Sequence, residues 1–441
     1  MDRKSFIQSS ALFGAATLLD PLASRAQTGQ PTYLKTVNVR DFGAQGDGAT
    51  DDTEAIQKAL DALEDECRFE LPIGIYPVSE TLVVRKKQNV LITGMGPGAR
   101  LVATAPMQDL LHVEYPFSGS IIESLTLDAN TNAHTALRVM GGGYVQLNRL
   151  EINAPRDMGI HAGPEDPEGK CGPELIITNS RLTGMKQPTA DDPASRLGIL
   201  VEKRWTDSHY DNLIIRGFTE CGIELRANSN LISKVHTYRH PAFQYFGGMR
   251  LKGNENYLVQ AYFDNAINVG CEILGNNTTI FSSYVLRIKL AFNNGPVAPG
   301  VGIRIGSHEK KVKNVSIINT SFVNHVPDTP GYAANKLDGI ELVNGENVIA
   351  YDNQYDRASF SDTRVAGEFE IEPGIKSKRV AIPSLVTPGH IQLTPLSYVQ
   401  GAYWVGEVED KAFTIHLSKP LRQPARFGYL TRETLSIVDP T

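Results

Sequence analysis

A four-residue pattern (a small residue, an apolar one, a variable one, an apolar one) recurs down this chain and restricts its fold more than any other feature. The instances are Ala136-Leu137-Arg138-Val139, Gly159-Ile160-His161-Ala162, Gly198-Ile199-Leu200-Val201, Gly222-Ile223-Glu224-Leu225, Gly248-Met249-Arg250-Leu251, Gly270-Cys271-Glu272-Ile273, Gly302-Ile303-Arg304-Ile305 and Gly339-Ile340-Glu341-Leu342. They start 22 to 39 residues apart. A second strand-like run follows each by roughly 9 to 16 residues, as in LIITNS from Leu175, LIIRGF from Leu213 and LVQAYF from Leu258. One such unit cannot bury its own apolar face; stacked copies can, so the pattern predicts a solenoid of parallel strands. Short spacings suit a bare rung and long ones a rung with a loop. Asn148, Asn179, Asn256 and Asn319 suit turn or ladder positions.

The remaining composition is compatible with this. The chain has 441 residues, 39 of them glycine, with 41% apolar and 21% charged residues. A net charge of -6 argues against non-specific nucleic-acid binding. No stretch approaches the ~20 apolar residues of a membrane span. Residues 1–26 read as a signal peptide: a charged start, a short apolar run from Ala11 to Leu19, and Ser24-Arg25-Ala26 before a cleavage point. Arg3-Lys4-Ser5-Phe6-Ile7 resembles a twin-arginine signal with lysine as its second basic residue. The expected location is periplasmic or extracellular. Cys67, Cys171, Cys221 and Cys271 form no CxxC pair, which speaks against structural zinc. They read as buried thiols, with one disulfide open outside the cytoplasm.

In NVRDFGAQGDGATDDTEAIQKAL (38–60), Asp51, Asp52 and Thr53 precede Ile56, Leu60 and Leu63 at helical spacing. Asp and Thr cap helices and acids favour the positive end of the helix dipole, so this is a helix start rather than a calcium loop. Together with FELPIGIYPVSETLVVRKKQNVLITGMGPGARLVA, the stretch resembles the start of the pectate lyase superfamily, in its rhamnogalacturonase/epimerase-like group. That resemblance implies an all-β, single-stranded right-handed parallel β-helix with an N-terminal capping helix. The expected domains are a β-helix over 36–362 and a small C-terminal β-module over 377–435, the latter from short alternating strands such as HIQLTPL and FTIHL.

Alternation turns the variable residue of each tetrapeptide outward. The outward column is then Arg138, His161, Leu200, Glu224, Arg250, Glu272, Arg304 and Glu341. With rungs about 4.8 Å apart, Glu224 and Glu272 lie about 9–10 Å from each other with Arg250 between. That is near the wide limit of an inverting glycosidase pair. Lys252 shares the face. The other reading of this column is a ladder of exposed ion pairs. A second candidate is His236, Tyr238 and Arg239: His and Tyr as proton-transfer groups beside a uronate carboxylate, Arg to neutralise it. Trp205, His209 and Tyr210 are nearby substrate-binding candidates, as is Arg304 on the column; Trp205 equally suits a buried position.

Arg287-Ile288-Lys289 is a tripeptide of polygalacturonases, but Gly-His-Gly and Asn-Thr-Asp are absent. The Asp-Pro-His of mannuronan epimerases is absent too; Asp166-Pro167-Glu168 stands without the histidine. The expectation is an enzyme cleaving an acidic, pectin-like polysaccharide by β-elimination, with calcium as a cofactor only if it is a lyase. A glycoside hydrolase using Glu224 and Glu272, and a non-catalytic tailspike-like glycan binder, are the alternatives.

Overall fold

The computed structural model describes residues 35–163, 172–184, 195–238, 247–264, 269–286, 301–323, 337–356, 358–359, 365–382, 389–409 and 411–432. The signal segment, Cys171, Arg239 and Arg287-Ile288-Lys289 lie outside them, as do most of the polar loop segments.

All eight tetrapeptides fall on one sheet of eleven parallel strands, running from Leu82–Val84 to Ala358–Ser359. Leu137, Ile160, Ile199, Ile223, Met249, Cys271, Ile303 and Ile340 are register partners in succession and are at most 3% exposed. They form one wall of a core that continues through every rung. The small residue is explained by the stacking itself. A Cβ on Gly248 would sit 2.1 Å from the carbonyl oxygen of Gly270 on the next rung and 3.0 Å from the Phe263 ring. A larger residue there must push two rungs apart.

Twenty-one further strands, also parallel, make a second sheet. They form two ladders rather than the single second strand expected. Leu175–Thr178 and Arg181–Thr183 belong to different ladders, parted by a short bend with Asn179 at φ 52°. The same position is left-handed at Arg149, Asn212, Lys234, Gln260, Ser282 and Asn319. Each rung therefore has three faces, and the fold is a right-handed parallel β-helix. Asn residues suit the bend because their short amides tolerate this backbone and bond locally. Asn212 donates to Asn179 at 2.9 Å, and Asn179 donates to Asn148 at 3.1 Å.

The acid-rich opening stretch is a turn and a helix start. The helix Thr53–Asp61 buries Ile56, Ala59 and Leu60. Asp52, 1% exposed, accepts from the backbone N–H groups of Gln45 and Gly46 at 2.6 and 2.9 Å. Asp47 accepts from those of Ala49 and Thr50. Cys67, Cys221 and Cys271 are free and buried.

After the last rungs the pairing becomes antiparallel. Ala366–Ile371, Ala425–Arg432 and His390–Pro395 make one three-stranded sheet; Ser377–Ala381, Ala412–Leu417 and Tyr403–Glu409 make another. The first of these strands starts before Ser377, so the antiparallel region reaches further back than expected. Phe413, Ile415 and Phe427 lie in a hydrophobic cluster that shares no residue with the solenoid core.

Candidate functional site on the first face

The outward column of the tetrapeptide sheet has the expected register: Arg138, His161, Leu200, Glu224, Arg250, Glu272, Arg304 and Glu341 are successive partners. Above Arg138 the column continues to His112. Its charges are committed to one another. Glu224 is 2% exposed and accepts from Arg226 Nε and Lys252 Nζ at 2.8 Å and from Arg250 Nη1 at 2.9 Å. Arg250 Nε donates to Glu272 at 2.8 Å, so the two expected catalytic carboxylates share one guanidinium. Arg226 also reaches Glu202 at 3.0 and 3.2 Å. Arg304 pairs with Glu341.

Burial alone would raise the Glu224 carboxyl. The hydrogen bonds from Lys252, Arg226 and Arg250 outweigh it and hold the group at about 2. The ion pairs likewise push Arg250 and Arg226 upward against their own desolvation. A carboxylate with three cationic donors neither gives a proton near neutrality nor readily takes one.

The upper end of the column differs. Asp109 is 3% exposed. It accepts both 3.0 Å bonds of Arg138 Nε and a 2.8 Å bond from His112 Nδ1. Burial raises its carboxyl, but the bonds from His112 and Arg138 outweigh that and hold it below the ordinary range. An ionised carboxylate only accepts, so His112 carries a hydrogen on Nδ1, and the tautomer this selects for a neutral ring has its lone pair on Nε2. The His112 side chain is 24% exposed. Arg138 Nη1 stands 2.6 Å from His161 Nδ1, and His161 Nε2 lies 3.5 Å from Glu202. Asp109 and His112 escaped the sequence reading because Leu110 fills the small position of Leu110-Leu111-His112-Val113 and hides the tetrapeptide.

The second candidate group lies on the third face, the ladder that follows the bend. His236 and Tyr238 point outward from Leu231–Tyr238, a strand of the twenty-one-stranded sheet. His236 stacks on Tyr262 (4.2 Å, 12°) and tilts against Tyr238 (4.7 Å). Its Nε2 is buried, 3.8 Å from Asp264. Tyr238 receives a long 3.4 Å contact from Arg216. Arg239 lies outside the described residues.

Two expected sugar contacts are corrected by burial. Trp205 is 1% exposed and Tyr210 0%; both belong to the solenoid core, so neither presents a ring to a ligand. Tyr210 begins the inward alternation of His209–Arg216, and Trp205 tucks into the turn before it. His209 is exposed on the second face, paired in register with Ile176 and Leu231. Among the described residues, no three His, Cys, Asp or Glu side chains converge as a metal site. The described ladder carboxylates are taken up by cations and a histidine, which does not fit calcium. No helix among these residues is long and apolar enough to cross a membrane.

Fold and ladder together define a single-stranded right-handed parallel β-helix with a dense charged array on one outer sheet. Residues 36–246 match the family model described as rhamnogalacturonase A/epimerase, pectate lyase-like, and this region belongs to the pectate lyase superfamily. The exo-poly-α-D-galacturonosidase of Dickeya chrysanthemi is 48% identical over 222 residues, 46% of this chain and 36% of that protein. Alginate lyase 7 of Azotobacter vinelandii is 45% identical over 74 residues, 15% of this chain and 8% of that one. The chain thus matches about a third or less of the length of these relatives. The endo-xylogalacturonan hydrolase of Aspergillus tubingensis shares the fold, with a TM-score of 0.50 at 14% identity over 73% of this chain and 94% of its own.

Proposed function

We propose that the chain is an exported enzyme acting on an acidic polysaccharide, and that it cleaves by β-elimination with His112 as the base. One observation carries the residue assignment: the buried Asp109 carboxylate orients His112 through Nδ1 while holding Arg138 beside it. The relatives support the substrate class, since those with catalytic names act on galacturonan or alginate, both uronate polymers.

In this reading His112 Nε2 takes the proton on C5 of a uronate unit. The C–H electrons form the C4–C5 double bond, the C4–O bond breaks, and the departing oxygen takes a proton from water. Arg138 stabilises the charge that builds on the sugar carboxylate, using N–H groups not bonded to Asp109 or His161. No step passes through calcium.

The hydrolase reading on Glu224 and Glu272 loses support from their shared arginine and from the low pKa of Glu224. The third-face group of His236 and Tyr238 is the other candidate centre, favoured by a buried Nε2 with no hydrogen-bond partner.

The test is incubation of the mature protein with uronate and neutral polysaccharides, with and without calcium, following ultraviolet absorbance of unsaturated product and reducing ends together. Both signals are expected on a uronate polymer. His112→Ala should lower the rate by about 10²–10⁴-fold, the usual contribution of a general base. Reducing ends without absorbance would replace elimination by hydrolysis. Loss in His236→Ala but not in His112→Ala would move the centre to the third face. Silence on every polymer would leave a glycan binder.

A further inference from the structure

The antiparallel region holds a glycine that its own packing does not explain. Gly374 and Gly401 have φ of 83° and 109°, which demand glycine. At Gly367 and Gly406 a Cβ would meet Tyr429 Oη at 2.5 Å and His416 Nε2 at 2.2 Å. Gly428 has neither constraint: its φ is not positive, and the nearest atom to an added Cβ is Leu396 Cδ1 at 3.8 Å, an ordinary contact. Yet it lies in Ala425–Arg432, the central strand of its sheet, where glycine weakens a strand. A strand glycine often marks a bulge, a bend or a close approach by a ligand or another backbone, and the pairing here runs through Gly428 without a register shift on either side.

The surroundings describe what approaches. Gly428 pairs with Glu368 on one side and Thr394 on the other, on the exposed face of the sheet. These residues, with Gln392 and Leu396, are among those that line an open trough of about 420 Å³. That size suits a small-ligand site. Carboxylate, amide and hydroxyl groups ring an apolar wall, the combination that meets a sugar's hydroxyls and its C–H face. Arg426, on the same strand, is paired with Glu368 and adds no free positive charge.

We propose that this trough is a saccharide-binding site for a neutral sugar unit, separate from the first-face ladder. Glu368 and Arg426 neutralise each other, so the trough offers no free cation to hold a uronate carboxylate. The site would hold neutral branches or neutral stretches of a polysaccharide.

The experiment is titration of the full mature chain with neutral oligosaccharides (gluco-, galacto-, arabino- and xylo-) and with oligogalacturonates, repeated for Gly428→Val. Valine suits a strand and has room for its Cβ, so the variant should melt at the same or a higher temperature. Binding of a neutral oligosaccharide that weakens at least tenfold in Gly428→Val, and also in Gln392→Ala, is the expected result. Absence of neutral-sugar binding in the wild type would overturn the proposal, as would unchanged affinity in Gly428→Val. Uronate binding that Gly428→Val abolishes would overturn the neutral assignment. Uronate cleavage is read on the same preparations and is expected to be unaffected, which keeps the outcome independent of the first-face reading.

Discussion

Glu224 shows what the ladder does at the scale of one residue. Its carboxyl falls from an ordinary 4.5 to about 2 in the folded chain. A depressed folded pKa contributes stability that is fully present above 4.5 and is lost as pH falls toward 2. The size is at most about 3–4 kcal/mol, from about 2.5 pKa units at about 1.36 kcal/mol each. Glu224→Gln should cost about 1–3 kcal/mol at neutral pH, because three cations lose a buried carboxylate while Arg226 keeps Glu202 and Arg250 keeps Glu272. It should also flatten the acid dependence. Urea unfolding of both proteins between pH 6 and 2 checks this; parallel loss of stability in the two would refute it. The outward facing of Glu224, Arg250 and Glu272 was legible because period-two alternation after a recurring small residue sets the face. Their pairing between rungs was one of the two readings that the alternating charges allowed; the burial of Glu224 was not legible, since side-chain reach is not written in spacing. Trp205 was ambiguous for a related reason: a polar loop composition hides one large apolar residue that folds inward.

At the scale of the element, the rung is set by two devices, a small residue at the sheet entrance and a left-handed residue at the bend. Gly248→Ala tests the first. Its Cβ would meet backbone at 2.1 Å, so the strain cannot be relieved by a side-chain rotation. A loss of about 1–3 kcal/mol is expected, typical of overpacking, and chemical denaturation measures it. An unchanged midpoint would mean that the stack yields. Lys234→Asn tests the second. Lys234 sits at φ 50°, where a long side chain is disfavoured and asparagine is tolerated. Its contact with Asp211 is a 3.7 Å pair between exposed groups and contributes little. Asparagine should raise stability by about 0.5–1 kcal/mol; a decrease would mean that the bend is not strained by lysine. The first-face strands were readable because glycine repeats at their entrances. The third ladder was missed because a bend this short leaves LIITNSRLT looking like one run. No glycine or proline breaks it.

At the scale of the molecule, the solenoid and the antiparallel sheets differ in how they hold together. A β-helix rung packs on its neighbours, so stability sums along the axis. The C-terminal strands instead close around Phe413, Ile415 and Phe427, with Phe369 stacked on Phe427 at 5.5 Å. Since the two clusters have no residue in common, we propose two domains, with the boundary before Ala366 rather than at Ser377. Domains with separate cores unfold with separate free energies. Phe427→Ala should therefore remove about 3–5 kcal/mol from one unit alone, the usual effect of emptying a buried phenylalanine site. Two calorimetric transitions are expected, of which only one moves to lower temperature in the variant. Hydrogen exchange should then speed up in strands Ala366–Ile371 and Ala412–Leu417 while Gly159–Ala162 and Gly222–Leu225 keep their protection. If both transitions fall together, or one transition accounts for the whole chain, the solenoid and the sheets are a single cooperative unit. The last rungs would then depend on the C-terminal cluster as their cap.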